Sequence, residues 1–160
     1  MFKKTNNILL IFLFSIILAS LIAAFIIQYG LGYQPCKLCI YQRIPYIISV
    51  FLIIELIFFK KNEKTTLLLL SLIFIISTIL AFYHFGIEQG FFTESFVCES
   101  ASFSETLTKD QLLEQLKQNT ISCKDVSFRV LGLSLASINI IFSLILSVIF
   151  IRLFLNYETN

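Results

Sequence analysis

The stretch ILLIFLFSIILASLIAAFII, residues 8–27, decides the fold class: it is twenty residues long, contains no charge, and is broken only by Ser15, Ser20 and a few alanines. At 1.5 Å rise per residue such a helix crosses a hydrocarbon core about 30 Å thick. A helix in a soluble core keeps a polar face, and this run has none. In lipid the backbone N–H and C=O groups must be satisfied within the segment, so an uninterrupted apolar run without alternation reads as a helix and not as a barrel strand.

Three further runs follow. Ile44 to Phe59 is short, contains Glu55, and has Pro45 placed for a first helical turn and Tyr46 for the membrane interface. Thr65 to Phe85 is the third, and Val130 to Leu155, with Arg152 near its end, is the fourth. The expected fold is an all-α membrane protein: a four-transmembrane-helix bundle with helices at about 8–27, 44–59, 65–85 and 130–155. Two outer loops, about 28–43 and 86–129, complete a single integral membrane domain over 1–160. Composition agrees, with 58% apolar and 14% charged side chains, against roughly 45–50% apolar in soluble domains. The formal charge of +2 is small and the lysines form no single patch, which argues against a nucleic-acid partner.

Charge placement sets the expected orientation. Lys3 and Lys4 precede the first helix, Lys60, Lys61 and Lys64 lie in the turn between the second and third, and Arg152 closes the fourth. By the positive-inside rule both termini and that turn are cytoplasmic, and the two longer connections face outward. The second of these holds seven acidic and four basic residues, so it does not oppose the assignment. A cleaved signal peptide fits residues 1–29 less well, because the apolar run exceeds the usual h-region and no A-x-A site follows. Within the second loop, Thr108 and Gln111 have capping-box spacing. Leu107 and Leu112 suit a hydrophobic staple, predicting a short amphipathic helix that ends near Gln118. Its Leu112, Leu113 and Leu116 share one face, for packing on the protein or the headgroups, with a lever that moves Cys123 relative to Cys98 as the functional alternative.

All four cysteines, Cys36, Cys39, Cys98 and Cys123, fall in the two outward loops. In an oxidising compartment an even set suggests two disulfides, with three pairings open to it. The densest local signal is Pro35-Cys36-Lys37-Leu38-Cys39-Ile40-Tyr41-Gln42-Arg43, directly ahead of an apolar helix. Cysteines three apart form a small strained disulfide that accepts electrons readily, and a helix N-terminus with Lys37 and Arg43 nearby favours the reactive thiolate. Haem attachment would need histidine at residue 40, which is isoleucine, and the sole histidine is His84. A four-cysteine zinc site lacks a second compact knuckle, so no metal is expected. Cys98 and Cys123, taken alone, read as a loop staple worth about 2–4 kcal/mol. Beside a reactive pair on the same face, they read as a second redox pair for a soluble partner. No glycine-rich dinucleotide motif is present, so the electrons must reach a carrier already in the membrane.

The Cys-x-Leu-Cys motif with Tyr41, Gln42 and Arg43, the widely spaced cysteine pair after the third helix, and the four-helix pattern closely resemble the disulfide bond formation protein B (DsbB) family over nearly the whole chain. Lys37 inside the motif and Gln42, where some members carry an acidic residue, are departures that bear on the quinone end. The resemblance implies a thiol:quinone oxidoreductase of the bacterial inner membrane, with periplasmic cysteine loops. It implies a soluble thioredoxin-fold (DsbA-like) dithiol partner and a quinone cofactor, ubiquinone or menaquinone. It further implies that a partner thiolate attacks Cys98 and displaces Cys123, which attacks Cys36 and releases Cys39 as a thiolate beside the quinone. Arg43 would stabilise that thiolate and the developing quinol oxyanion. His84 would hydrogen-bond the quinone or donate a proton.

The plainer alternatives are an interfacial anchor for Arg43 and an interfacial histidine for His84. Glu55, one turn from the cytoplasmic end of its helix, is expected to snorkel or to meet the lysine-rich turn. Phe85, Phe91, Phe92 and Phe96 are expected chiefly as helix-end anchors, with an apolar quinone site as the functional alternative. Two rivals to the overall reading are a reductase of the vitamin K epoxide reductase type, whose CxxC lies near the last helices, and a membrane scaffold or sensor with purely structural disulfides.

Overall fold

The computed structural model describes residues 7–59, 62–93, 98, 122–124, 129–130 and 132–158. Helix α1 spans Asn7–Phe25 and continues as one π-helical turn, Ile26–Gly30. A short helix α2, Lys37–Tyr41, leads directly into α3, Arg43–Phe58. Helix α4 is Glu63–Glu88. A two-residue ladder pairs β1, Arg129–Val130, with β2, Leu133–Ser134, ahead of α5, Leu135–Glu158. Four helical stretches are long and apolar enough to cross a membrane: Asn7–Gly30, Lys37–Phe58, Glu63–Glu88 and Leu135–Tyr157. The expected four-helix fold class is thus borne out, and the short amphipathic helix expected near 108–118 lies outside the described residues.

The boundaries differ from expectation where local capping intervenes. The fourth helix starts at Leu135 and not at 130, because Gly132 at φ +85° folds the chain back and the Ser134 hydroxyl accepts from the Ser137 N–H at 3.2 Å. That is an N-cap, which supplies one of the acceptors a helix start lacks. The third helix runs on to Glu88 and ends in a Schellman turn, with Gly90 at φ +77°. There the Gly90 N–H reaches the Ile87 carbonyl and the Phe91 N–H the Gly86 carbonyl. Between α3 and α4 the turn passes through Asn62 at φ 61°, a conformation asparagine tolerates better than most residues.

The helices alternate in direction, so the C-terminal ends of α1 and α4 meet the N-terminal ends of α3 and α5. One core of Leu10, Leu13, Ile17, Ile53, Leu56, Leu67, Leu70 and Leu146, with the rings of Tyr46, Phe74 and Phe150, fills the bundle toward the opposite end. Phe74 stacks on Phe150 at 5.6 Å between centroids and takes the Tyr46 ring edge-on at 5.6 Å. Helices α4 and α5 present small buried residues to one another, Ser71, Ser77 and Ala81 against Ala136, Ser143 and Ser147. Small side chains let two backbones approach closely, which replaces the hydrophobic driving force that lipid does not provide. Outward positions such as Phe12, Phe51, Ile79 and Phe82 are large, apolar and exposed, as a lipid-facing surface requires. Tyr46, expected at the interface, is instead buried, because its hydroxyl finds partners on α5 inside the bundle. Glu55 is exposed on α3, one turn from its end.

Candidate functional site

Cys36 is the N-cap of α2. Its backbone is extended, at ψ 166°, and its Sγ accepts the Cys39 N–H at 3.2 Å. A three-residue spacing around the first helical turn brings the two sulfurs together, and Cys36 Sγ and Cys39 Sγ lie 2.8 Å apart as free thiols. The N-terminal end of a helix offers unpaired N–H groups to an anion. The Cys36 thiol is accordingly pushed down to about 5 from its usual 9.0, by the Cys39 S–H first and then by His84, against the opposing effect of burial. In the reduced pair the negative charge therefore belongs on Cys36.

His84, on α4, is buried and faces this pair, with Nε2 3.5 Å from Cys36 Sγ and 3.7 Å from Glu88 Oε1. Its Nδ1 lies 3.0 Å from Gln42 Nε2. Gln42 in turn accepts from Asn139 Nδ2 at 2.8 Å, and the Tyr46 hydroxyl donates to Asn139 Oδ1. A polar chain thus runs from the cysteine pair into the apolar bundle and ends at Ser143 and Ser77, both fully buried. Glu88 Oε2 is buried without a hydrogen-bond partner among the described residues.

Cys98 and Cys123 form a disulfide with Cα atoms 5.4 Å apart, and both are buried. They pack with Cys36, Leu38 and Ile87 in one cluster that Cys39 and Tyr83 join from its edge. The two cysteine pairs, more than fifty residues apart in the chain, are thereby neighbours. The α4 end supports this packing through a close approach: Phe92 covers Gly86 and stacks on Tyr83 at 5.6 Å, leaving no room for a Cβ at residue 86.

On the other side of Cys39 lies a cavity of about 310 Å³, between α1, α3 and α5. Leu21, Ala23, Ala24, Ile27, Leu135, Ala136 and Phe142 form apolar walls, while Cys39, Gln42, Arg43, Tyr46 and Asn139 contribute polar groups. The size and the pattern of apolar walls with a few converging polar groups are those of a small-molecule site. Arg43 is held at its edge by a hydrogen bond to Gln28 Oε1, a 3.4 Å contact to the Ala24 carbonyl, and the Phe25 ring 5.2 Å below its guanidinium. The π-helical turn that extends α1 carries Gln28 to that position. A planar ring with carbonyl oxygens fits such a lining, since the walls accept the ring and Arg43 has donors for an oxygen.

The structure thus brings together Cys36, Cys39, Cys98, Cys123 and His84, and it places Arg43 with Cys39 on the cavity. His84 contacts Cys36 and Gln42 and does not line that cavity. Lys37 is exposed, as are Phe91 and Phe92, and Phe96 lies outside the described residues. The donor atoms of Cys36, Cys39 and His84 lie within 4.8 Å of one another, a spacing that the contacts among them account for. Sequence reading did not single out Asn139, Tyr46, Glu88 or Gln28 as site residues. For Asn139 a signal existed: an amide within an apolar run bound for lipid is costly unless it has partners.

An uncharacterized protein of Rickettsia prowazekii (strain Madrid E) is similar to this chain, 29% identical over 160 residues that cover 99% of the chain and 92% of that relative. Residues 6–153 match the family model described as Disulfide bond formation protein DsbB. With that match, four membrane-length helices and two neighbouring cysteine pairs, the chain belongs to the DsbB family, membrane oxidoreductases of disulfide formation.

Proposed function

We propose that the protein reoxidises a soluble thioredoxin-fold dithiol protein of the DsbA type and delivers the electrons to a membrane quinone, ubiquinone or menaquinone. The observation that carries this reading is the packing of Cys98–Cys123 against Cys36, with Cys39 on the far side lining an apolar cavity beside Arg43. Electrons from a soluble donor enter at one pair and leave through the other, and no longer path is needed. The setting is a bacterial inner membrane with both cysteine loops periplasmic, supported by Lys64 at the end opposite the cysteines and by Arg152 near the close of α5.

Cys98 takes the partner's thiolate in a mixed disulfide and Cys123 leaves as a thiolate. With Cys36–Cys39 in its disulfide form, Cys123 then attacks Cys36, its neighbour in the cluster, breaking that bond and releasing Cys39 as a thiolate toward the cavity. The partner's second thiolate completes the partner's own disulfide and frees Cys98, which attacks Cys123, restoring Cys98–Cys123 and leaving Cys36 and Cys39 as a dithiol. A quinone held between the apolar walls and Arg43 would supply the two-electron, two-proton sink that returns the Cys36–Cys39 dithiol to a disulfide. Arg43, fixed by Gln28 and Ala24, presents positive charge to the oxygen that gains electron density. The α2 N-terminus and the His84 ring hold negative charge on Cys36 between steps. The apolar walls exclude water, which strengthens each of these charge interactions.

The test is quinone-dependent oxidation of a thioredoxin-fold dithiol by purified protein, with each cysteine replaced in turn. Loss of turnover with Cys36→Ser or Cys39→Ser, using both quinones, is expected. Turnover that persists in Cys39→Ser, or none in the unaltered protein, overturns the reading in favour of a structural role for the disulfides. Cysteine labelling in intact membranes tests orientation, and access to reduced Cys98 from the cytoplasmic side alone would contradict it.

A further inference from the structure

We propose that Gln42, Asn139 and Tyr46 are positioning residues that hold His84 in the tautomer with its proton on Nε2, making the ring a hydrogen-bond donor to Cys36 and not its base. The hydrogen bonds run in one direction. The Tyr46 hydroxyl has one proton and gives it to Asn139 Oδ1. That orients the Asn139 amide, whose Nδ2 donates to Gln42 Oε1 at 2.8 Å. Gln42 then has only its Nε2 to turn toward His84 Nδ1, 3.0 Å away. An amide nitrogen donates and does not accept, so Nδ1 accepts and the ring proton resides on Nε2.

What Nε2 faces agrees with that direction. Cys36 Sγ is 3.5 Å away and Glu88 Oε1 3.7 Å, and a thiolate and a carboxylate both need a donor. The Cys36 sulfur already accepts the Cys39 N–H at 3.2 Å at the start of α2, a setting that favours an anion. Running the chain backwards would turn a bare nitrogen lone pair toward both acceptors. It would also send the Tyr46 proton to Ser143 Oγ, 3.3 Å away and farther than Asn139.

The consequence is chemical. A donor holds negative charge on Cys36 without taking up a proton, whereas a base would become an imidazolium ion inside the bundle. Gln42 is then a choice and not a filler: a carboxylate at that position has no N–H to offer, so it would place a proton on Nδ1 and turn the ring into the base that Gln42 prevents. The effect on turnover rests on the function proposed above, while the tautomer itself does not.

His84 is the sole histidine in the chain, so its ring can be read alone. The protein is labelled with 15N-histidine, reduced, placed in nanodiscs and examined by two-bond 1H–15N correlation. The protonated nitrogen is expected to be the one coupled to both Hδ2 and Hε1, which identifies Nε2. In Gln42→Glu the Nδ1 resonance is expected to shift into the protonated range, where the unaltered protein leaves it bare. In Asn139→Ala the Gln42 amide loses its anchor, and the two ring nitrogens move toward averaged shifts. A proton on Nδ1 in the unaltered protein overturns the proposal, as does an unchanged pattern in Gln42→Glu. If a variant fails to fold, the unaltered protein alone decides. An Nε2–H ring in a protein that does not turn over quinone would leave this assignment standing and sink the proposed function instead.

Discussion

Replacing His84 by phenylalanine keeps a ring of similar size on α4 while deleting the only side-chain donor that reaches Cys36 from another helix among the described residues. A hydrogen bond to a charged group is worth about 1.5–3 kcal/mol net, and one pK unit corresponds to about 1.36 kcal/mol. The Cys36 midpoint, about 5 in the intact protein, should therefore rise by about one to two units in His84→Phe. It should not climb to the ordinary 9.0, because the Cys39 S–H and the Cys39 N–H at the start of α2 remain. The sign follows from the charge: a depressed value means thiolate above about pH 5, and losing a donor shrinks that range from its acid side. The assay is the thiolate absorbance difference between reduced and oxidised protein across pH, in a Cys98→Ala/Cys123→Ala background so that one pair reports. At about pH 6 the thiolate fraction should drop about two- to tenfold. A midpoint near 9 in the unaltered pair, or one that His84→Phe leaves in place, would refute the reasoning.

Further outcomes follow from the same geometry. In the Cys98→Ala/Cys123→Ala protein, oxidation of a protein dithiol should be lost, while a small dithiol that can reach Cys36 is still oxidised with quinone present; equal loss of both would deny the division of labour. Arg43→Met removes the guanidinium held by Gln28, Ala24 and Phe25, and the KM for quinone should rise about tenfold, the worth of one charge-assisted bond. An unchanged KM would return Arg43 to an anchoring role. Gly86→Ala would place a Cβ 2.1 Å from the Phe92 ring, forcing that ring off Tyr83 at a cost of about 1–2 kcal/mol. Faster proteolysis of the second loop, with the bundle intact, is the expected sign.

Much of the site is legible in the amino-acid sequence. The Cys36–Cys39 spacing at the start of a helix specifies a local pair, because one helical turn brings residues i and i+3 to the same face. Arg43 sits one turn further on and reaches the same cavity. Tyr46 is harder to place, since a tyrosine near a helix end suits the interface as well as the core. Asn139 and Ser143 on α5, more than ninety residues away, give its hydroxyl partners inside the bundle. Glu88 and Gln28 are silent for a similar reason: a carboxyl or an amide at the end of an apolar run reads as the edge of the membrane until its neighbours are known.

What the sequence by itself determined is what depends on runs and short spacings. The length of residues 8–27 demands a membrane helix, the repetition of such runs demands a bundle, and the lysines at one set of ends set the orientation expected for it. These are properties of the backbone in lipid and need no partner. What only the tertiary structure decided is which distant groups meet. Cys98–Cys123 lies against Cys36, His84 turns toward the sulfur and away from the cavity, and Gln42, Asn139 and Tyr46 link into one directed chain. Hydrogen-bond direction depends on the three-dimensional order of donors and acceptors, and an order assembled from three helices is not written in any one of them.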